Sequence, residues 1–129
     1  MRWSRVASFA LVLVLSVELA LWEAFLVGAR PFGVALPVSA VLAVIGNVGT
    51  GLAGASVLQR RAGAVLPGLL WLTIALVLGS KRPEGDLIVP NTLRGLAFLL
   101  AGTLAAAAVV GVTGSRTGAG ATPEGEERR

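Results

Sequence analysis

Three stretches of this 129-residue sequence, 34–58, 62–80 and 95–114, contain no charged side chain at all. Each matches the roughly 17–25 residues an α-helix needs to cross about 30 Å of hydrocarbon. A fourth apolar stretch, 6–27, has the same length but holds Glu18 and Glu23. The pattern predicts an all-α polytopic membrane protein with four transmembrane helices in an antiparallel bundle. Residues 1–114 form that transmembrane domain, and 115–129, reading SRTGAGATPEGEERR, form a disordered cytoplasmic tail. Composition agrees: 14% of residues are charged, where a water-soluble domain carries about 25%.

The first stretch has a competing reading as a cleaved signal peptide, because Arg2 and Arg5 precede its apolar run. Cleavage after Ala20 would put Glu18 at the −3 position. Cleavage after Ala29 would leave an apolar region far longer than the usual run of about 7–15 residues. Leu, Val and Phe each favour the membrane centre by about 0.3–0.6 kcal/mol, and one central acidic residue costs about 3. With thirteen such apolar residues in 6–27, insertion wins.

Prolines mark the connections. Pro31, Pro83 and Pro90 fall between stretches, and Pro37 and Pro67 fall near the starts of the second and third, where a missing N–H costs least. The short links 28–33 and 59–61 fold successive helices back on one another. Both termini inside would put Arg2, Arg5, Arg60, Arg61, Arg116, Arg128 and Arg129 in the cytoplasm, against Arg30, Lys81, Arg82 and Arg94 outside. Positive charge favours that orientation. The location it implies is a bacterial cytoplasmic membrane, and the Arg-, Ala- and Gly-rich composition fits a GC-rich genome.

The net charge of +4 does not signal nucleic-acid binding, because the basic residues cap apolar runs. With no Cys, His or Tyr, disulfides, thiolate and imidazole chemistry and the common zinc and haem sites are excluded. No metal, cofactor or catalytic constellation is expected, so the chain is read as non-enzymatic. The run from Gly46 to Ala55 resembles a phosphate-binding glycine loop only superficially, since no strand precedes it and no Lys follows. Its small residues Gly46, Thr50 and Gly54, with Asn47, Gly51 and Ala55 alongside, instead form stripes for close helix packing. Ala101, Ala105 and Val109, beside Gly102 and Ala106, offer a similar surface on the fourth helix.

Glu18 is the deepest charged residue, about 15 Å from the outer end of the first helix. An ionisable group there is by default a functional candidate. Folding about Pro31 brings Asn47 to similar depth, and Thr73 and Thr103 lie near the centres of the last two helices. Glu18, Asn47, Thr73 and Thr103 are therefore expected to share one polar layer, with Asn47 as the partner of Glu18. That layer either binds a proton or a cationic substrate, or holds helices together by hydrogen bonds. Glu23, beside Trp22, is expected to snorkel to water. Trp3 and Trp22 suit the membrane interfaces, and mid-helix Trp71 suits packing.

The connection 81–94 is the longest loop. Leu87, Ile88 and Val89 should dip into the interface or cover the mouth of the bundle. Asn91 or Thr92 should cap the fourth helix, and Glu84 and Asp86 can pair with Lys81, Arg82 or Arg94.

Four helices with a Glu in the first, glycines in the second and Trp71 in the third resemble the small multidrug resistance exporters. The likeness implies a proton- and cation-binding role for Glu18 and a stacking role for Trp71. The chain departs from that pattern by lacking Tyr, by lacking a Lys near the end of helix 1, and by adding a second Glu. The segment GDLIVPNTLRGLAFLLAGTLAAAAVVG, residues 85–111, resembles a family of small actinobacterial membrane proteins of unknown function. That likeness implies the four-helix fold and a bacterial host. The expected role is thus a non-catalytic accessory or interaction protein in the lipid bilayer, touching a second copy or a partner membrane protein. The alternative is a proton-coupled small-molecule transporter working as an oligomer through Glu18.

Overall fold

A computed structural model describes residues 2–30, 33, 37–80, 83, 85, 89–90 and 92–118, the side chains of 117 and 118 excepted. The chain forms four α-helices, α1 Arg2–Leu26, α2 Val38–Leu58, α3 Arg61–Leu78 and α4 Leu93–Gly118. All four are long and apolar enough to cross a membrane. The expectations for Lys81, Arg82, Glu84, Asp86, Leu87, Ile88 and Asn91, and for 119–129, lie outside the described residues.

Helix ends differ from the sequence expectation in ways local chemistry explains. α1 starts at Arg2 rather than Val6, since Arg and Trp are tolerated in a first turn. α2 starts at Val38, with Pro37 immediately outside it; fixed φ and no N–H suit proline to that boundary. Pro67 lies in the second turn of α3 rather than at its start. The helix continues through it, and the Pro67 carbonyl accepts the Ser16 hydroxyl from α1 at 2.9 Å. At the other end, α4 runs on to Gly118, four residues into the stretch expected to be disordered. Thr92 caps α4, its hydroxyl accepting the Gly95 N–H at 3.3 Å, which satisfies one otherwise orphan donor of the first turn.

The link between α2 and α3 is only Gln59 and Arg60. Gln59 adopts the left-handed conformation (φ 52°) and its N–H returns to Ala55 O at 2.8 Å. Arg60 is extended, and the chain has reversed within two residues.

Helices α2 and α3 are central: each packs on the other and on both α1 and α4, while α1 and α4 do not approach one another among the described residues. The small residues of α2 make this crowding feasible. Gly46 faces Leu19 and Glu23 of α1, Gly51 faces Val109 of α4, and Gly54 meets the backbone of Gly63 of α3. A Cβ at Gly54 or at Gly63 would run into the other helix's backbone. Thr50 is buried and donates to Gly46 O at 2.8 Å, and Ala55 is half-buried near the α2–α3 link. On α4, Gly102 makes room for Trp71 and Ala106 faces Gly68.

The apolar core gathers Ala20, Ala24, Val27, Ala43, Ala75 and Leu78 around Trp71 and Phe98. Val89 joins it from the long connection, its N–H donating to Leu78 O at 3.3 Å. Leu11, Trp22, Phe25, Ile45, Leu69 and Leu104 instead point outward, and Ser16, Glu23, Ser39, Asn47 and Thr50 are buried. Large apolar side chains cover most of the outside, and inside, small and polar residues surround Trp71 and Phe98. Helices that pack in a membrane associate through small residues and polar contacts, and the interior here holds both.

Gly54→Ala should therefore push α2 from α3 and lower stability by about 1–3 kcal/mol, the usual cost of overpacking. Gly49→Ala, at a position where a new Cβ meets nothing, should leave stability unchanged or slightly raised. Thermal unfolding followed by circular dichroism in detergent micelles compares the two.

Candidate functional site

α1 buries one stripe. Ser16, Ala20, Glu23 and Ala24 are its buried residues, and spacings of three, four and seven put them on one face. Glu18 stands on the opposite face with Leu11, Val14, Leu15, Trp22 and Phe25, all exposed. Glu23 therefore occupies the interior, and Glu18 faces outward. The expectation that Glu23 snorkels to water is corrected: its side chain is 1% exposed.

Glu23 meets α3 and α2 directly, and α4 backs the indole it pairs with. Trp71 of α3 donates its indole Nε1–H to Glu23 Oε2 at 2.7 Å. Gly46 of α2 backs the carboxyl group, since a Cβ there would stand 2.6 Å from Oε1. Phe98 of α4 packs on the indole with ring centroids 5.2 Å apart at 58°, and Gly102 leaves space for the far edge of the same ring. Each helix contributes either a polar group or the absence of a side chain.

Glu23 Oε1 has no hydrogen-bond partner. Beside it, a groove of about 250 Å³ runs between α1 and α2, walled by Leu15, Leu19, Trp22, Leu42 and Ile45 and bordered by Thr50. A buried carboxylate with one oxygen held by an indole and the other unpaired can accept a donor or a proton. Asn47 is buried too, but its Nδ2 donates to Ala43 O at 3.0 Å within α2, and its Oδ1 is unpartnered.

The structure does not assemble Glu18, Asn47, Thr73 and Thr103 into one layer. Thr73 and Thr103 are exposed, their hydroxyls donating to Leu69 O at 2.8 Å and Leu99 O at 2.7 Å in their own helices. Such back-bonding satisfies a hydroxyl without any neighbour. Glu18 is exposed and Asn47 faces the interior, so the pairing of the two does not form within the chain. Trp71 packs as expected, and it also carries the hydrogen bond that the sequence reading missed. The signal was present in the register of Glu23 with Ser16, Ala20 and Ala24. No group of three or more potential metal ligands occurs among the described residues.

Four helices, each long and apolar enough to cross a membrane, enclose one acid–indole pair in an all-α fold. The chain belongs to a family of unknown function (DUF6113), whose family model matches residues 1–129. Membership of a family of unknown function is what segment 85–111 had suggested. No curated protein and no solved structure matches the chain.

Removing the indole donor by Trp71→Phe should cost about 1–3 kcal/mol, because it leaves a second buried carboxylate oxygen unpaired. Glu23→Leu combined with Trp71→Phe should cost less than the two single changes added together. A double-mutant cycle on detergent-solubilised protein measures that coupling.

Proposed function

We propose that this chain is a multi-pass protein of a bacterial cytoplasmic membrane, its four helices forming an antiparallel bundle with both termini inside. Its role is that of a non-catalytic accessory protein that docks on a partner membrane protein through α1. The outward-facing apolar surface and buried polar groups support insertion. Ser16–Pro67 and Glu23–Trp71 advance in the same direction along α1 and α3, which supports an opposite direction for the intervening α2. The bias of Arg2, Arg5, Arg60, Arg61 and Arg116 toward one end supports the orientation.

The observation that carries the docking role is Glu18. It lies well inside α1, surrounded on its own face by Leu11, Val14, Leu15, Trp22 and Phe25 and exposed to whatever surrounds the bundle. An acidic side chain facing lipid near mid-span costs about 3 kcal/mol. A donor on a neighbouring helix offsets about 0.6–2 kcal/mol of that. The chain's own helices offer Glu18 no hydrogen bond or ion pair among the described residues, which supports a partner on another polypeptide.

A second reading is favoured by the unpaired Oε1 of Glu23 beside the α1–α2 groove. In it the protein is a proton-coupled small-molecule transporter, with Glu23 rather than Glu18 carrying the proton.

A photocrosslinking residue in place of Val14, four residues from Glu18 and 57% exposed, separates the readings in native membranes. Docking predicts a protein adduct of discrete mass, weakened about fivefold by Glu18→Leu, the weight of one interhelical hydrogen bond of roughly 1 kcal/mol. An adduct indifferent to Glu18→Leu, or none, contradicts it. Substrate-dependent proton flux in liposomes that survives Glu18→Gln and disappears in Glu23→Gln would establish transport instead.

A further inference from the structure

The Glu23 site is not the only place where charge converges. Where α2 ends, α3 begins and α4 nears its last turn, Ala55, Gln59, Arg60, Arg61, Thr113 and Arg116 line a pocket of about 250 Å³. The two-residue reversal at Gln59 and Arg60 throws Arg60 and Arg61 to this end. Arg116 arrives from α4 because that helix extends past the end of its apolar run. Arg61 is anchored: its guanidinium donates to Gly114 O at 2.9 Å, and Gly114 is small enough to admit it, a Cβ there standing 3.1 Å from the guanidinium.

Three arginines thus line one small pocket, with no acidic residue among its described walls. The first turn of α3 opens beside them, and Arg60 gives it no side-chain cap. The positive end of its dipole adds to the same field. Like charges gathered at one pocket repel, and an anion bound there offsets that repulsion. Arginine pairs with phosphate oxygens through two parallel N–H donors.

We propose that this pocket binds a phosphate-bearing group, and that its source is the headgroup of an anionic phospholipid. The lipid source rests on the membrane reading above: a pocket at one end of the spanning helices α2, α3 and α4 lies at headgroup depth, where basic clefts between helices take up anionic lipids. Arg60 and Arg116 meet the phosphate, and Arg61, tied to Gly114, fixes the pocket between α3 and α4.

The full-length protein is first mixed with phosphatidylcholine vesicles, with or without phosphatidylglycerol, and floated on a density gradient. Short-chain phosphatidylglycerol, short-chain phosphatidylcholine or inorganic phosphate is then titrated into the detergent-solubilised protein, with thermal stability as the readout. The proposal expects flotation with both vesicles and a stability gain specific to phosphatidylglycerol. In Arg60→Gln/Arg116→Gln the apparent Kd for that lipid should weaken about thirtyfold, at about 1 kcal/mol per basic group, with unfolding in detergent alone unchanged. Equal response to the two lipids, or a phosphatidylglycerol preference that survives the double substitution, overturns it. Inorganic phosphate reproducing the whole gain overturns the lipid source. A chain that floats with neither vesicle refutes the membrane reading, whereas one that floats with both but shows no lipid preference refutes the pocket alone.

Discussion

The hydrogen bond from the Trp71 indole to Glu23 sets the terms for the rest of the molecule. A carboxyl group inside an apolar assembly loses water, and each buried polar group without a partner costs free energy. Indole is a suitable partner because it brings a single donor on a large apolar plate, which itself needs burial. Satisfying Glu23 therefore requires α1 and α3 to lie side by side in one register. Trp71 then needs a flat neighbour and an open edge, supplied by Phe98 and Gly102 of α4. Glu23 needs a neighbour without a side chain, supplied by Gly46 of α2.

From that constraint follows the division between centre and periphery. α2 carries small residues on several faces and can approach three helices at once. α3 carries the indole and, at Gly63, the closest backbone approach to α2. α1 presents a small-residue stripe inward and α4 presents Phe98 among small residues, both carry large apolar side chains outward, and among the described residues the two stay apart. Two acidic residues five positions apart on α1 end in opposite surroundings, one sealed in the interior and one on the exposed face. The first organises the fold, and the second carries the proposed docking.

Much of this was legible in the sequence. Four helices follow from uninterrupted apolar length, the α4 cap from Thr92, and close packing from the stripes at Gly46, Gly51 and Gly54. Depth along the helix singles out Glu18, whereas angular position, which decides burial, singles out Glu23. In a helix whose buried face is marked by small residues, Ser16, Ala20 and Ala24 identify the inward stripe, and Glu23 belongs to it. Depth also suggested the layer that Thr73 and Thr103 were expected to join. Their hydroxyls bond to their own helices, an outcome open to any helical threonine and independent of its neighbours. The extension of α4 to Gly118 was hidden by polar composition, which speaks against burial but not against a helix continuing for one more turn.

The chain has only three tryptophans, Trp3, Trp22 and Trp71, so their indole N–H resonances can be resolved directly by NMR of 15N-labelled protein in micelles. A Trp71 indole N–H held by Glu23 should exchange slowly with deuterium and shift on Glu23→Leu, while remaining unmoved by Glu18→Leu. A Trp71 indole that exchanges as fast as that of exposed Trp3, or that responds to Glu18→Leu and not to Glu23→Leu, would contradict the assignment of Glu23 as the interior acid.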